Sequence, residues 1–60
     1  MKEYLKKICK IHIKKNNKDL FYTGIVTAID DIHISFIDKF NVRYTFKKKL
    51  IEEIVLKNNV

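Results

Sequence analysis

Hydrophobic and polar residues alternate along most of this chain, and a different spacing occurs only at its beginning. Tyr4, Leu5 and Ile8 lie at helical spacing, which predicts a short helix over about residues 2–8. From Cys9 onward every second residue is largely apolar, as in strands with one wet face. Clusters of Asn and Asp separate the alternating runs and predict turns. The predicted strands cover about residues 9–15, 20–29, 32–38, 42–47 and 51–56.

The second predicted strand contains Gly24, the only glycine of the chain. Both faces of this strand are largely apolar, which indicates a central strand or one that is bent between two layers. Glycine weakens a strand, so an interior glycine marks a bulge, a sharp bend or a close backbone approach. We expect Gly24 to serve one of these purposes, because a small sheet must bend a long strand in order to curl.

The pairing of the third and fourth strands follows from their alternation. If their apolar residues share the core face, Phe36 pairs with Tyr44 and Ile34 pairs with Phe46. This register leaves a three-residue loop, whose last position requires a left-handed backbone conformation. Asn41 occupies that position and tolerates the conformation better than most residues do.

These elements predict one all-β domain over residues 1–60, a short N-terminal helix followed by five antiparallel strands. Such a chain is expected to form a small, strongly bent barrel of the SH3-like or Sm-like kind. At 60 residues the domain lies near the lower size limit for folding alone, and its single Cys excludes an internal disulfide. Oligomerisation is one way for such a domain to gain stability.

The chain carries 13 Lys and Arg against 7 Asp and Glu, which gives a net charge of +6. By segment the charge is +6 for residues 1–18, −4 for residues 19–38 and +4 for residues 39–60. Either the fold has a basic and an acidic face, or interleaved strands mix the blocks. The lysines of the first block predict a solvated face, with nucleic-acid contact as the second possibility. No apolar run approaches a membrane span, so we expect a cytoplasmic protein without a membrane partner.

No catalytic constellation is evident, and we expect neither an enzyme nor a cofactor. His12 and His33 lack an orienting partner in the sequence, and with Cys9 they are too few for a structural zinc site. Cys9 alternates with apolar residues and is expected to be a small buried hydrophobe. The adjacent Asp30 and Asp31 are typical of turn formers.

The run Lys47-Lys48-Lys49 lies in the predicted connection between the fourth and fifth strands. Three adjacent ammonium groups repel one another unless an anion neutralises them, and phosphate is the natural candidate. Phosphate contacts dominate sequence-independent binding of nucleic acids. The alternative is a solvated basic turn. Phe40 lies at a predicted loop tip, where its ring is suited to stacking on a base or packing on a neighbouring subunit.

Three segments, in this order and at this spacing, resemble the Sm-like superfamily, and within it the bacterial Hfq family. The resemblance runs from about Ile11 to Leu56. Residues 24–30 are similar to the family's Gly-x-apolar-x-x-apolar-Asp. Residues 30–34 resemble the Hfq stretch Asp-Gln-Phe-Val-Ile, and residues 44–54 resemble Val-Tyr-Lys-His-Ala-Ile-Ser-Thr-Val with one insertion. Ile34 replaces the uracil-holding Asn of Sm proteins, and Ile32 replaces the stacking Phe of Hfq.

The resemblance implies a homo-oligomeric ring of six or seven subunits, in which strand five of one subunit pairs with strand four of the next. Such a ring is expected to bind single-stranded, U- or A-rich RNA at a basic pore rim. The expected RNA-binding residues are Lys47, Lys48, Lys49, Asp30, Asp31, Ile32 and Phe40. The expected oligomer-interface residues are Tyr44, Phe46, Ile54 and Leu56.

Two other functions fit the composition. A monomeric SH3-like barrel that binds duplex DNA, as small Lys-rich archaeal chromatin proteins do, explains the size and charge equally well. It lacks support in residues 19–38, which carry four Asp and no basic residue except His33. An adaptor module that binds protein through an apolar surface is the third hypothesis. Failure to bind any nucleic acid at low salt would favour it.

Overall fold

Five antiparallel strands form one sheet in a computed structural model that describes residues 1–57. A 3-10 turn at Lys2–Tyr4 precedes the strands, and a second 3-10 turn at Lys48–Leu50 joins the last two. The strands are β1 (Ile8–Lys15), β2 (Lys18–Ile29), β3 (His33–Asp38), β4 (Arg43–Lys47) and β5 (Ile51–Leu56). The prediction of an all-β, five-stranded antiparallel fold is therefore confirmed.

The sheet has the order β4-β3-β2-β1-β5 and is not closed. Its outer strands are β4 and β5, and neither has a second partner strand within residues 1–57. The prediction of a barrel is thus wrong in its closure. After β4 the chain makes a short turn, and β5 then pairs with β1, with Ile54 opposite Ile11. β5 therefore lies at the opposite side of the sheet from β4 and does not pair with it.

The predicted N-terminal helix over residues 2–8 is also wrong, since only a three-residue 3-10 turn forms. Lys6 adopts φ 64°, which ends any helical path. The Lys6 N–H donates to the carbonyl of Val26 at 2.7 Å, and the Val26 N–H donates to the carbonyl of Lys7 at 3.2 Å. A helix of one or two turns is marginal in water, so pairing with the backbone of β2 prevails.

The two halves of the long strand β2 pair with different neighbouring strands. Lys18–Ile25 pairs with β1, Gly24–Ile29 pairs with β3, and only Gly24 and Ile25 have partners on both sides. A Cβ atom on Gly24 would lie 2.7 Å from the carbonyl oxygen of Ile37. Of the three roles predicted for this glycine, the close backbone approach is confirmed. The bulge of β2 falls later, between Val26 and Ala28.

The predicted register of β3 and β4 is confirmed. Phe36 pairs with Tyr44, and Ile34 pairs with Phe46. Asn41 takes the left-handed conformation at φ 64°. The first hairpin turn also uses this conformation, at Asn16 and Asn17 in the two-residue turn between β1 and β2. β2 therefore begins two residues earlier than predicted.

The core lies on the concave face of this curled sheet. Among residues 1–57, six side chains are fully buried, namely Cys9, Ile11, Ile13, Val26, Ile34 and Phe36. The rings of Tyr22 on β2 and Tyr44 on β4 approach to 4.7 Å between centroids, although β3 lies between their strands. In a flat sheet two strand spacings amount to roughly 9.5 Å. The sheet must therefore curl, and this curl brings segments from distant strands to one place.

Candidate nucleic-acid interface

The lysine run and the turn between β2 and β3 form a single structure. Lys47 is the last residue of β4, and the two following lysines begin the second 3-10 turn. The backbone N–H of Lys48 donates to the carbonyl of Ile32 at 2.7 Å. Its ammonium Nζ donates to the carbonyl of Asp30 at 2.9 Å. Six of the seven predicted RNA-binding residues therefore lie together, and they are Asp30, Asp31, Ile32, Lys47, Lys48 and Lys49.

Asp30 holds the turn between β2 and β3. Its Oδ1 accepts hydrogen bonds from the N–H of His33 at 2.6 Å and from the N–H of Ile32 at 2.8 Å. These two bonds lower the pKa of Asp30, the bond from the N–H of His33 more than the bond from that of Ile32. The nearby ammonium of Lys48 acts in the same direction. The interpretation of Asp30 as a turn former is confirmed. The carboxylate of Asp30 therefore stays ionised, and two backbone N–H groups hold it in the turn.

A groove of about 540 Å³ opens beside this turn. Three lysines line it from two parts of the chain, Lys15 at the end of β1 and Lys47 and Lys49 around the end of β4. All three are exposed, and none of them forms a salt bridge within residues 1–57. The remaining lining residues are Asn16, His33, Thr45, Phe46 and Leu50. We call this cavity the basic groove.

Sequence reasoning missed part of the basic groove. Lys15 belongs to the first basic block, for which a solvated face was the leading prediction, and His33 was set aside with the candidate catalytic residues. His33 pairs with Lys47 in the register of β3 and β4, so the predicted register could have placed it beside the lysine run. No spacing in the sequence joins Lys15 to Lys47, because their proximity depends on the curl of the sheet. The lysine run itself is divided, since Lys48 bonds to the β2–β3 turn while its two neighbours line the groove.

Phe40 is the predicted RNA-binding residue that lies elsewhere. It is in the loop between β3 and β4, and its side chain is 74% exposed. Val42 is the last residue before β4, and Lys47 at the end of β4 is five residues further on. Five residues of extended strand span about 17 Å. Phe40 and the lysine run thus occupy opposite ends of the β3–β4 hairpin.

The predicted interface residues lie on the two outer strands of the sheet. Tyr44, Phe46 and Ile54 are half-buried and pack against the core of their own chain. Leu56 is 42% exposed. An interface at these strands would therefore use mainly their open backbone edges, with Leu56 as a side-chain contact.

No protein-family model, curated protein or solved structure matches the chain. Within residues 1–57, no helix has the length and apolar character needed to cross a membrane. The same residues contain no cluster of three His, Cys, Asp or Glu side chains suited to a metal ion. Function is therefore inferred from the geometry of the described residues.

Proposed function

We propose that this protein binds single-stranded RNA in the basic groove and assembles edge to edge into a ring of six or seven copies. The observation that carries the proposal is the convergence of Lys15, Lys47 and Lys49 on one groove without acidic partners inside residues 1–57. Phosphate groups would neutralise these ammoniums and release counterions. The proposed activity is binding alone, without catalysis or a cofactor. The proposed location is the cytoplasm, where the buried free thiol of Cys9 would stay reduced.

The apolar lining of the basic groove favours a single strand over a duplex. Phe46 and Leu50 line the groove, and Ile32 beside it is 59% exposed. These side chains are suited to the faces of unpaired bases, which a duplex keeps in its stack. U-rich and A-rich strands are the preferred ligands under the resemblance to the Sm-like superfamily.

The open sheet supports the ring. β4 and β5 are its outer strands, and each presents backbone groups at a free edge. Such edges invite pairing with another chain. Pairing of β4 in one copy with β5 in the next is a head-to-tail contact, which closes into a ring when the rotation allows. The ring would repeat the basic groove in every copy and multiply a weak phosphate contact.

The binding test compares affinities over a series of salt concentrations by fluorescence anisotropy. Labelled U-rich and A-rich RNAs are measured beside a duplex DNA of equal length. The variant Lys47→Ala/Lys49→Ala is expected to bind RNA more weakly, with the log–log salt slope reduced by about 1.4 if each lysine contacts one phosphate. The matched control Lys2→Ala/Lys14→Ala removes the same charge from exposed positions outside the groove.

Equal slopes for the two double variants would show that only net charge matters and would overturn the basic groove as the site. Tighter binding of the duplex than of either RNA at the same salt would favour the DNA-binding alternative. A wild-type chain that binds neither nucleic acid at low salt would refute the proposed function as a whole.

The assembly test is the mass in solution, measured by light scattering at micromolar concentration. A ring is expected at six or seven times the chain mass of 7.2 kDa. Leu56→Lys places a charge at the edge of β5, where lysines oppose pairing with another strand, and is expected to lower the mass. Leu5→Lys makes the same change at an exposed residue before the sheet begins. A monomeric wild-type chain would refute the ring.

A further inference from the structure

A second groove lies at the loop end of the β3–β4 hairpin, and two exposed phenylalanine rings border it. Phe21 is 73% exposed and Phe40 is 74% exposed. Both line the same cavity of about 380 Å³, a size within the usual range of ligand sites. The other lining residues are Tyr22, Thr23, Asp38, Lys39 and Lys57. We call this cavity the aromatic groove.

The ring of Phe21 is held in place without being buried. It stacks on the imidazole of His12 with 4.4 Å between ring centroids and 19° between planes. His12 is fixed in turn, because its Nε2 lies 2.9 Å from Oδ1 of Asp19. One face of Phe21 is therefore supported by His12, while most of the side chain stays in contact with solvent. A further flat ring would extend this stack at little ordering cost, since the first two rings are already placed.

The loop that carries Phe40 is ordered by its own backbone. Oδ1 of Asp38 accepts hydrogen bonds from the N–H groups of Phe40 at 2.9 Å and Val42 at 3.0 Å. The ammonium of Lys39 lies 5.2 Å from the centroid of the Phe40 ring, within the range of a cation–π contact. The aromatic groove thus combines two positioned rings with positive charge.

The charges of the aromatic groove select the class of ligand. Lys39 and Lys57 line it, and the one carboxylate that lines it within residues 1–57, that of Asp38, accepts the loop N–H groups. Aromatic faces beside lysines fit a ligand that is both flat and anionic, as a nucleotide is. A second copy of this chain fits less well, because two lysine-flanked grooves facing each other would repel.

We propose that the aromatic groove is a base-stacking site for single-stranded RNA, distinct from the basic groove. A base packs on the exposed rings of Phe21 and Phe40, and Lys39 and Lys57 contact the adjacent phosphates. This inference rests on the proposed function, and it adds a second contact at the other end of the β3–β4 hairpin. The basic groove recognises mainly the backbone of the strand, whereas the aromatic groove recognises the bases.

The test compares an RNA with an abasic strand of equal length, which keeps the phosphates and lacks the bases. Phe21→Ala and Phe40→Ala are each expected to weaken RNA binding about five- to 150-fold, while binding of the abasic strand stays unchanged. Val42→Ala is the matched control, since Val42 is an exposed apolar residue that does not line the groove. Lys47→Ala/Lys49→Ala is expected to weaken binding of both strands, so the two grooves are separable.

A spectroscopic test reads the stack directly. The chain has no Trp, so Phe21→Trp places a single indole in the aromatic groove. Its fluorescence is expected to be quenched by RNA and not by the abasic strand. Leu5→Trp, with the indole at an exposed position outside the groove, is the control and is expected to keep its signal with either strand.

Two results would overturn the base-stacking site while the proposed function stands. One is that Phe21→Ala and Phe40→Ala both bind RNA as tightly as the wild-type chain does. The other is a fall in oligomer mass in these variants with RNA affinity kept, which would assign the aromatic groove to a second copy of the chain. If the wild-type chain binds no single-stranded RNA, the proposed function fails and the inference fails with it.

Discussion

Gly24→Ala tests the close backbone approach of β2 to β3 at Ile37. The added Cβ atom would lie 2.7 Å from the carbonyl oxygen of Ile37 and 3.1 Å from Cδ2 of Phe36. The first contact is the more severe, because it involves backbone. The oxygen cannot retreat without disturbing the pairing of Ile37 with Ile25. The Phe36 ring is fully buried and has little room to turn.

Two opposing effects set the magnitude for Gly24→Ala. Loss of backbone freedom in the unfolded chain would stabilise the alanine variant by about 0.4–1 kcal/mol. Forcing an extra carbon into a packed site costs about 1–3 kcal/mol. The difference is a net loss of up to about 2.6 kcal/mol, with about 1.3 kcal/mol at the middle of the two ranges. For a domain of this size, the middle value corresponds to a fall in Tm of about 5–10 °C.

The assay is thermal and urea unfolding followed by circular dichroism. It is repeated at two protein concentrations, because self-association makes Tm depend on concentration. Ala28→Gly is the control, since it changes an exposed residue of the same strand and is expected to cost only about 0.5–1 kcal/mol through backbone entropy. A Gly24→Ala variant as stable as the wild type, or more stable, would refute the role assigned to this glycine.

Three further predictions concern single residues. In Asp30→Asn, stability is expected to fall at neutral pH. Because folding lowers the pKa of Asp30, the difference from wild type should persist above the ordinary pKa of 3.8 and fade as pH falls below it, as urea unfolding at a series of pH values would show. Asn41→Val is expected to cost about 1–2 kcal/mol in the left-handed position, while Asn41→Gly should unfold like the wild type. Burial raises the pKa of the Cys9 thiol, so a disulfide reagent should label Cys9 only in denaturant; rapid labelling of the folded chain would contradict its burial.

Local alternation predicted much of the fold. The register of β3 and β4 followed from the requirement that apolar residues share one face, and Asn41 agreed with the loop length that this register leaves. The helix over residues 2–8 was wrong because its apolar spacing carried no information about the backbone of Val26, with which Lys6 pairs. Closure of the sheet was wrong for a similar reason, since strand count alone does not show which edges meet.

The candidate site shows where local reasoning stops. The lysine run and the turn at Asp30 were both visible in the sequence, yet the bond from Lys48 to that turn joins residues 18 positions apart. Lys15 reaches the same groove from β1 only because the sheet curls. The curl brings together rings from strands that are not neighbours, such as those of Tyr22 and Tyr44, and no single spacing in the sequence records it. Side-chain chemistry could therefore be predicted residue by residue, whereas the groupings that make a binding site follow from the curvature of the whole sheet.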